Sequence, residues 1–507
     1  MAKGRAEENS FEDAIRPPEI VKVNYDNAVL KVRWNPMSYS DFIVTVKIPG
    51  GELTNYPASG DRITIDQDLS PDKSYQVLVT GIDNGQPGQS SPSVNIISQQ
   101  PVFQQILTVQ ISALSYSLDL IWSACTNADE YHIELLGGEN PQIYHTDKTS
   151  YKIVNDLDPA INYSLNITPL GSQDISEGPK SVSLEPILAK PVINMLSYSL
   201  PAEEEGKVKT VWANMEEVVT AYITQLKATD GSLLENQVST DPNSEININL
   251  KDDLTYTITV SATGSNGVVI GPNSPPLTVI QHQPILSLLS YLIIDGDGTL
   301  NVNWNTVLNA GMYGTTITNS EGSKQNFFGS DPSLDERLTF DQNLTYNLNV
   351  SALSSDGVVL GPASELFDII IHSVEESSLN YTGTNLVLDF EIPSVLAGKT
   401  FVGELFKNGI SINQQSTQNN KITYDQILEK AMIFTTEIRA EDGIVKGPKS
   451  PIAFGPYAAV VAKTFDGLNR LRTVTWNENN TGGWKQTSYT INDAGNLTKI
   501  ETVTIIN

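Results

Sequence analysis

Few side chains in this sequence of 507 residues are suited to metal or covalent chemistry. Four histidines occur, His132, His145, His282 and His372, and Cys125 is the single cysteine. Zinc sites take three or four histidine, cysteine or carboxylate ligands at recognisable spacings. His132 and His145 are expected on neighbouring strands or a loop. Together with one distant cysteine, these two histidines do not form such a pattern. The sequence therefore predicts no metal site. His282 and His372 occupy equivalent positions in the linkers at the starts of the fourth and fifth repeats. This placement favours an interdomain hydrogen bond over catalysis.

The short motifs that accompany catalysis are missing as well. The sequence contains no His-Glu-x-x-His and no Gly-x-Ser-x-Gly, the patterns of zinc proteases and of many serine hydrolases. Asp295-Gly296-Asp297-Gly298 is similar to the start of a calcium loop, but Thr306 occupies the twelfth position, where a carboxylate is needed. Nothing singles out a catalytic pair among the 59 acidic residues. We predict no catalytic residue, no cofactor and no enzyme, with a glycan-acting enzyme of unrecognised site as the second alternative.

Two tryptophans near the end of the sequence, Trp476 and Trp484, are the candidates for stacking on a ligand. An exposed aromatic face can stack on a flat ligand, whereas a buried ring fills a core. We favour packing of both rings onto the preceding domain. Stacking on a glycan is the alternative.

Recurring aromatic pairs predict the elements that position these residues. The first ring of each pair closes a run in which apolar and polar residues alternate, and the second follows just over forty residues later. Alternation with a period of two is typical of a half-buried strand. We predict that these ten rings fill the cores of five small domains. The pairs are Trp34 with Tyr75, Trp122 with Tyr163, Trp212 with Tyr256, Trp304 with Tyr346, and Phe390 with Phe434.

The repeat spacing divides the sequence into a flexible N-terminal arm, five domains and a C-terminal segment. Each repeat ends near a Gly-Pro-x-Ser corner or a variant of it, and Pro101, Pro191 and Pro284 stand in short linkers. Because proline stiffens linkers, we expect a semi-rigid rod or arc. The predicted boundaries are 1–16 for the arm, 17–99, 100–188, 189–280, 281–373 and 374–456 for the domains, and 457–507 for the segment.

The residues before two of the second rings resemble the fibronectin type III family. Leu69-Ser70-Pro71 precedes Tyr75 and Leu157-Asp158-Pro159 precedes Tyr163, as in the Leu-x-Pro-containing tyrosine corner of that family. The resemblance covers residues 17–456. It implies an all-β fold of five tandem antiparallel β-sandwiches, in which each corner tyrosine hydroxyl ties its strand to the preceding crossing. The third and fourth repeats lack the proline, and the fifth has phenylalanine at both ring positions.

The last fifty residues look different. Residues 465–471, Phe-Asp-Gly-Leu-Asn-Arg-Leu, and 491–497, Ile-Asn-Asp-Ala-Gly-Asn-Leu, resemble the YD repeats of bacterial RHS and toxin-complex shells. Phenylalanine and isoleucine replace the tyrosine of that motif. A β-hairpin cap with ordinary turn chemistry explains the segment equally well.

Charge and composition exclude several kinds of partner. With 31 basic and 59 acidic residues the net charge is 31 − 59 = −28, and the pI is about 4.4. Nucleic-acid binding needs clustered lysine and arginine, which this sequence lacks. A single cysteine allows no intrachain disulfide. We also expect no secretory signal peptide and no membrane insertion, because no segment is apolar enough.

These observations predict a non-catalytic, elongated structural or adhesive protein that spaces or displays binding surfaces. Its expected partners are other proteins of an assembly or a surface glycan. A bacterial surface, a phage-tail-like particle or a toxin-associated complex is the expected setting, so that the protein acts outside the cell, on its surface or in a virion or injection complex. A carbohydrate-binding, lectin-like protein is the first alternative. The sequence specifies neither the oligomeric state nor the partner.

Overall fold

The computed structural model describes most of the chain from residue 16 onward. The described residues are 16–48, 51–112, 115–138, 140–200, 206–215, 218–294, 297–374, 377–382, 384–426, 434–454, 459–465, 471–477, 484–491 and 497–505. Within them the helices are single 3-10 turns at Ser172–Asp174, Ser265–Gly267 and Ser394–Leu396, and strands dominate. The predicted all-β fold of tandem sandwiches is confirmed. The predicted arm lies outside the described residues except for residue 16.

The first domain shows how alternating residues build one sandwich. Its strands are β1 Ile20–Asp26, β2 Val29–Trp34, β3 Asp41–Lys47, β4 Leu53–Ala58, β5 Arg62–Asp66, β6 Tyr75–Asp83, β7 Gln86–Ser90 and β8 Val94–Ile96. One sheet half has the order β1-β2-β5, and the other has β4-β3-β6-β7 with β8 also on β6. Because side chains alternate along a strand, Leu30, Val32 and Trp34 face inward. They share one buried cluster with Val44 of β3 and Val79 of β6.

The next four domains repeat this strand order. The first, second and fifth strands of each form one sheet half, and the third, fourth and sixth, with the short last segments, form the other. The strands of the second domain are β9 Phe103–Gln110, β10 Ser115–Trp122, β11 Glu130–Leu136, β12 Gln142–Thr146, β13 Ser150–Asp156, β14 Ser164–Leu170 and β15 Ser176–Glu177, and those of the third are β16 Ile193–Ser199, β17 Lys207–Trp212, β18 Ala221–Ala228, β19 Leu233–Ser239, β20 Asn243–Asn247, β21 Tyr256–Gly264, β22 Val269–Ile270 and β23 Leu277–Thr278. The strands of the fourth domain are β24 Leu286–Ile294, β25 Asp297–Trp304, β26 Met312–Asn319, β27 Lys324–Gly329, β28 Ser333–Arg337, β29 Tyr346–Leu353, β30 Val359–Ala363 and β31 Phe367–Asp368. The strands of the fifth domain are β32 Ser377–Tyr381, β33 Leu386–Phe390, β34 Thr400–Lys407, β35 Ile410–Thr417, β36 Lys421–Tyr424, β37 Phe434–Asp442, β38 Val445–Lys446 and β39 Ala453–Phe454.

The chain divides into two compact units, and the division runs through the third domain. The first unit comprises Met1–Asn194, Thr210–Ser244 and Tyr256–Leu277, and the second comprises Met195–Lys209, Glu245–Thr255 and Thr278–Asn507. The first two domains therefore lie wholly in the first unit, and the last two lie wholly in the second.

Sheets continue from one domain into the next. The first strand of a domain pairs in parallel with the short segment that follows the sixth strand of the next domain. This pairing joins β1 to β15, β9 to β22, β16 to β30 and β24 to β38. Each pairing lies inside one compact unit. It merges two sheet halves into sheets of seven or eight strands, whereas the sequence predicted only proline-stiffened linkers.

The C-terminal segment forms a separate four-stranded antiparallel sheet. Its strands, β40 Ala459–Phe465, β41 Leu471–Asn477, β42 Trp484–Ile491 and β43 Leu497–Ile505, pair in sequence order. The segment is thus a chain of successive hairpins, where the sequence predicted a β-hairpin. The turn residues of the two YD-like motifs, 466–470 and 492–496, lie outside the described residues.

Candidate functional site at the domain joints

The ten predicted core rings lie inside the sandwiches. Nine of them are buried and Tyr346 is half-buried, packing on Phe340 with ring centroids 4.4 Å apart. The buried nine are Trp34, Tyr75, Trp122, Tyr163, Trp212, Tyr256, Trp304, Phe390 and Phe434. Enclosed on all sides, these rings fill space and present no face to a ligand.

Each first ring packs against an aromatic side chain of the third strand, which sequence reasoning missed. The ring centroids are 5.1 to 5.5 Å apart and the planes are tilted or edge-on, an arrangement that adds to the stabilisation from buried area. The partners are 8 to 11 positions apart in the sequence, so no fixed spacing signals them. The pairs are Trp34 with Phe42, Trp122 with Tyr131, Trp212 with Tyr222, Trp304 with Tyr313, and Phe390 with Phe401.

Tyrosine corners of the kind that the resemblance implied are formed in the first, second and fourth domains. The hydroxyl oxygen of Tyr75 accepts a hydrogen bond from the backbone N–H of Ser70 at 3.1 Å, five residues earlier. Tyr163 accepts from the N–H of Asp158 at 3.2 Å. Tyr346 accepts from the N–H of Asp341 at 3.0 Å. The fourth domain lacks the corner proline, so the hydroxyl and its spacing suffice for this bond.

The serine of each Gly-Pro-x-Ser corner fastens the last segment to the sixth strand. Its Oγ accepts a backbone N–H of the sixth strand at 2.9 to 3.0 Å and donates to the carbonyl oxygen of the next residue at 2.9 to 3.1 Å. Its own N–H donates to the same residue of the sixth strand at 2.7 to 2.8 Å. All five serines are buried: Ser91, Ser181, Ser274, Ser364 and Ser450.

A backbone hydrogen bond crosses each of the four joints at an equivalent place. A buried apolar residue of the first strand donates its N–H to a carbonyl of the next domain. The bonds run from Val23 to Ile175 at 2.6 Å, from Ile106 to Val268 at 2.8 Å, from Leu196 to Val358 at 2.9 Å and from Leu289 to Ile444 at 3.2 Å. The donors are fully buried. Directional bonds of this kind hold the neighbouring domain in one register.

The corner glycine closes each joint against an isoleucine of the preceding linker. A Cβ on Gly361 would lie 2.5 Å from Cγ2 of Ile280, closer than real Cβ atoms approach other carbons. The other three joints repeat this contact, with distances of 2.5 to 2.7 Å for Gly178 on Ile97, Gly271 on Ile187 and Gly447 on Ile370. The four isoleucines are buried. Glycine is therefore needed here for close approach, not only to relax the corner backbone.

The first joint carries additional polar contacts. The Nζ of Lys22 on β1 lies 2.7 Å from Oε2 of Glu177 on β15. The side-chain amide of Asn127 donates to the carbonyl of Ile96 at 3.0 Å. The ion pair is about one-third exposed, so water screens it and it adds little to stability.

In the first domain, the ring of Tyr39 packs on the corner glycine Gly88. A Cβ on Gly88 would lie 3.0 Å from Cε1 of this ring, which also covers Gly81. The hydroxyl of Tyr39 donates to the carbonyl of Arg16 at 3.3 Å. A side chain of the same domain thus occupies the place that a linker isoleucine takes in the other four.

Two further histidines, His282 and His372, follow the joint isoleucines Ile280 and Ile370 by two positions in the sequence. His282 lines a cleft of about 270 Å³, and its Nε2 is 3.4 Å from Nε2 of Gln281. Gln281 itself donates to the carbonyl of Leu254 at 2.9 Å. Drug-sized ligands occupy cavities of roughly 300 to 1,000 Å³, so this cleft is small for a substrate site. His372 is half-buried.

Cys125 is buried in the second domain, three residues after the core tryptophan Trp122. Its backbone N–H donates to the hydroxyl of Tyr131 at 2.9 Å. Burial raises the pKa of the Cys125 thiol to about 12, so the thiol stays protonated at neutral pH and is a poor nucleophile.

Trp476 and Trp484 lie on adjacent strands of the C-terminal sheet. In the backbone register Trp476 pairs with Lys485 and Asn477 pairs with Trp484. The side chains of both tryptophans lie outside the described residues, so neither packing nor stacking is tested for them.

His132 and His145 come together with Glu130, although the sequence predicted no metal site. The two histidines occupy directly paired positions on β11 and β12. One potential ligand atom from each of the three side chains lies within 4.8 Å of the others. Sequence reasoning placed the histidines on neighbouring strands or a loop but could not give the register that pairs them.

Solved structures with tandem fibronectin type III domains are similar to this chain. The FN1–FN3 domains of chicken CNTN1 are 14% identical and match 52% of this chain and 97% of theirs, with a TM-score of 0.23. A two-domain fibronectin type III segment of chicken tenascin is 17% identical and matches 34% of this chain and 99% of its own, with a TM-score of 0.16. No family model and no curated protein sequence matches. The strand order, the tyrosine corners and the core rings describe a fibronectin type III-like fold.

The described part of the chain holds no helix with the length and apolar character that a membrane crossing requires.

Proposed function

We propose that this protein is a non-catalytic structural or adhesive protein whose joined domains hold binding surfaces at fixed spacing. The observation that carries the proposal is the joint, which recurs four times with the same three components. These are a parallel strand pairing, a buried backbone hydrogen bond and a glycine packed on isoleucine.

Closed joints limit the freedom of neighbouring domains to move. Domains joined by a linker alone usually move relative to one another, because interdomain contacts are small and polar. In this chain each joint combines a buried apolar contact between glycine and isoleucine with a buried, directional backbone hydrogen bond. Before two domains that share a sheet can turn against each other, a backbone hydrogen bond must break and an isoleucine must become exposed. Fixed spacing is useful for display and load-bearing, and it is not a requirement of catalysis.

A glycine substitution tests whether the joints are closed in this way. We expect Gly361→Ala to speed thermolysin cleavage of the linker at residues 281–286 about fivefold or more, because overpacking costs about 1–3 kcal/mol and opens the joint. Gly329→Ala is the matched control, since Gly329 lies in the same domain with no atom within 4 Å of its added Cβ. Equal cleavage rates for the two variants would contradict the proposal, as would cleavage inside the fourth domain before cleavage of the linker.

For the setting, we propose a bacterial surface, phage-tail-like or toxin-associated assembly, with a protein or a surface glycan as the partner. The net charge of −28 supports solubility and repulsion between copies, not contact with nucleic acid or anionic lipid. Fractionation of the source cells with an antibody against this chain tests the setting. The surface or particle fraction is the expected location, and a purely cytosolic protein would contradict it.

A further inference from the structure

Three potential metal ligands converge on the second domain, away from its core. Tyr131 and Ile133 of β11 are buried. Because side chains alternate along a strand, Glu130 and His132 lie on the opposite face of β11. His145 of β12 is paired with His132 across the strands and shares that face.

The distances between these groups are those of a nearly formed site. The two imidazole rings have centroids 3.9 Å apart and planes at 74°. The Nδ1 of His145 lies 3.0 Å from Oε1 of Glu130. All three ligand atoms lie within 4.8 Å of one another. Zinc binds nitrogen and carboxylate oxygen at about 2.0–2.2 Å, so small side-chain rotations would bring the three atoms onto one ion.

An unsatisfied nitrogen gives an independent indication. The Nε2 of His132 is enclosed and has no hydrogen-bond partner among the described residues. Buried polar atoms are nearly always paired, since leaving one unpaired costs about 1–3 kcal/mol. A neutral imidazole nitrogen offers a lone pair to a metal.

Nearby carboxylates favour a cation at this place. Asp174 and Glu177, from the turn and strand that follow β14, act on His132 through their negative charge, as does Glu130. Lys22 pairs with Glu177 at 2.7 Å and offsets part of this charge. Glu134, the next residue on the same face of β11, is paired with Lys180 at 2.7 Å and is not available.

We propose that Glu130, His132 and His145 form a binding site for a divalent transition-metal ion, with Zn²⁺ the best match. Two imidazoles and one carboxylate are a donor set that zinc takes in tetrahedral geometry. The fourth position is open to water. The bound ion replaces the hydrogen bond between His145 and Glu130 and links β11 to β12 through their side chains.

Isothermal titration of the full chain with ZnCl₂, in excess Mg²⁺ to occupy carboxylate-only sites, tests this site. We expect one saturable site in the natural protein. We expect His145→Asn and His132→Asn to weaken binding about tenfold or more, the scale on which metal sites respond to lost contacts. His282→Asn is the matched control, since that histidine lies in the separate cleft, and it should leave the affinity unchanged.

A stability measurement guards against variants that fail to fold. His145 is about half-exposed, so His145→Asn should unfold at the same temperature as the natural protein without metal. Zn²⁺ should then raise the unfolding temperature of the natural protein and of His282→Asn, but not that of His145→Asn. Absence of a saturable site, or equal zinc affinity in His145→Asn and the natural protein, would overturn the proposal.

Discussion

Single residues stabilise this protein mainly by filling cores, and the tryptophans show how. Trp122 is 1% exposed and packs on Tyr131, yet its Nε1–H has no hydrogen-bond acceptor among the described residues. The same holds for Trp34, Trp212 and Trp304. Each indole ring therefore stabilises its domain through its buried apolar area. The unpaired N–H at the edge of the ring lowers that stabilisation.

This balance leads to a prediction for Trp122. We expect Trp122→Ala to lower the free energy of unfolding of the second domain by about 3–5 kcal/mol, because a large cavity remains. Trp122→Phe should cost clearly less, since it keeps a ring against Tyr131 and removes the unpaired N–H. Urea titration of the full chain, followed by fluorescence, measures both values.

The control for this experiment is the neighbouring residue on the same strand. Ile121→Ala changes a side chain that is 39% exposed, so its effect should stay within about 0.5 kcal/mol. If Trp122→Ala cost no more than Ile121→Ala, the rings would not be the core supports that the repeat predicts.

The elements are held in place by repeated polar fasteners as well as by rings. The corner serine is the most regular of these, with the same three hydrogen bonds in five domains. It holds on the sixth strand the part of the chain that follows the short segment, and in the second to fifth domains that segment pairs with the preceding domain. In the second to fifth domains the serine thus connects the packing inside the domain to its joint with the preceding domain.

Removing one corner serine tests this connection. Ser364→Ala leaves the buried N–H of Val350 without its Oγ acceptor. We expect the free energy of unfolding of the fourth domain to fall by about 1–3 kcal/mol, the cost of an unsatisfied buried donor. Calorimetry of the full chain measures it. Ser330→Ala, at an exposed position of the same domain, should change stability by less than about 0.5 kcal/mol, and an equal effect of both would refute the role of Ser364.

The strands, the fold class and the core rings could be predicted from the sequence because each has a local signature. Val32 and Trp34 alternate with polar residues, and Tyr75 follows at a spacing that recurs. The joints have no such signature. The pairing of Val23 with Ser176 extends over two residues only and joins positions far apart in the chain, so no periodicity reveals it.

The histidine cluster was missed for a related reason. Glu130 and His132 are adjacent on one strand face, but their meeting with His145 depends on the register of β11 against β12. Register is set by turn geometry and by the buried face, which one sequence does not specify to the residue. The metal site therefore stays a proposal from the structure.

Fixed spacing of the domains along the chain requires that the joints are closed in solution. The backbone N–H groups of Val23, Ile106, Leu196 and Leu289 each donate across a joint. Leu379 occupies the equivalent place on β32 of the fifth domain, paired with Leu388 of β33. In the described part of the chain, no strand pairs with the outer edge of β32. The protein thus contains its own comparison between joined and unjoined positions.

Amide hydrogen exchange of the full chain is the measurement that tests this most directly. We expect the amides of Val23, Ile106, Leu196 and Leu289 to exchange about a hundredfold or more slowly than that of Leu379, because exchange at a joint requires the shared sheet to open. Exchange of the four joint amides at the rate of Leu379 would contradict the account, since the domains would then move independently.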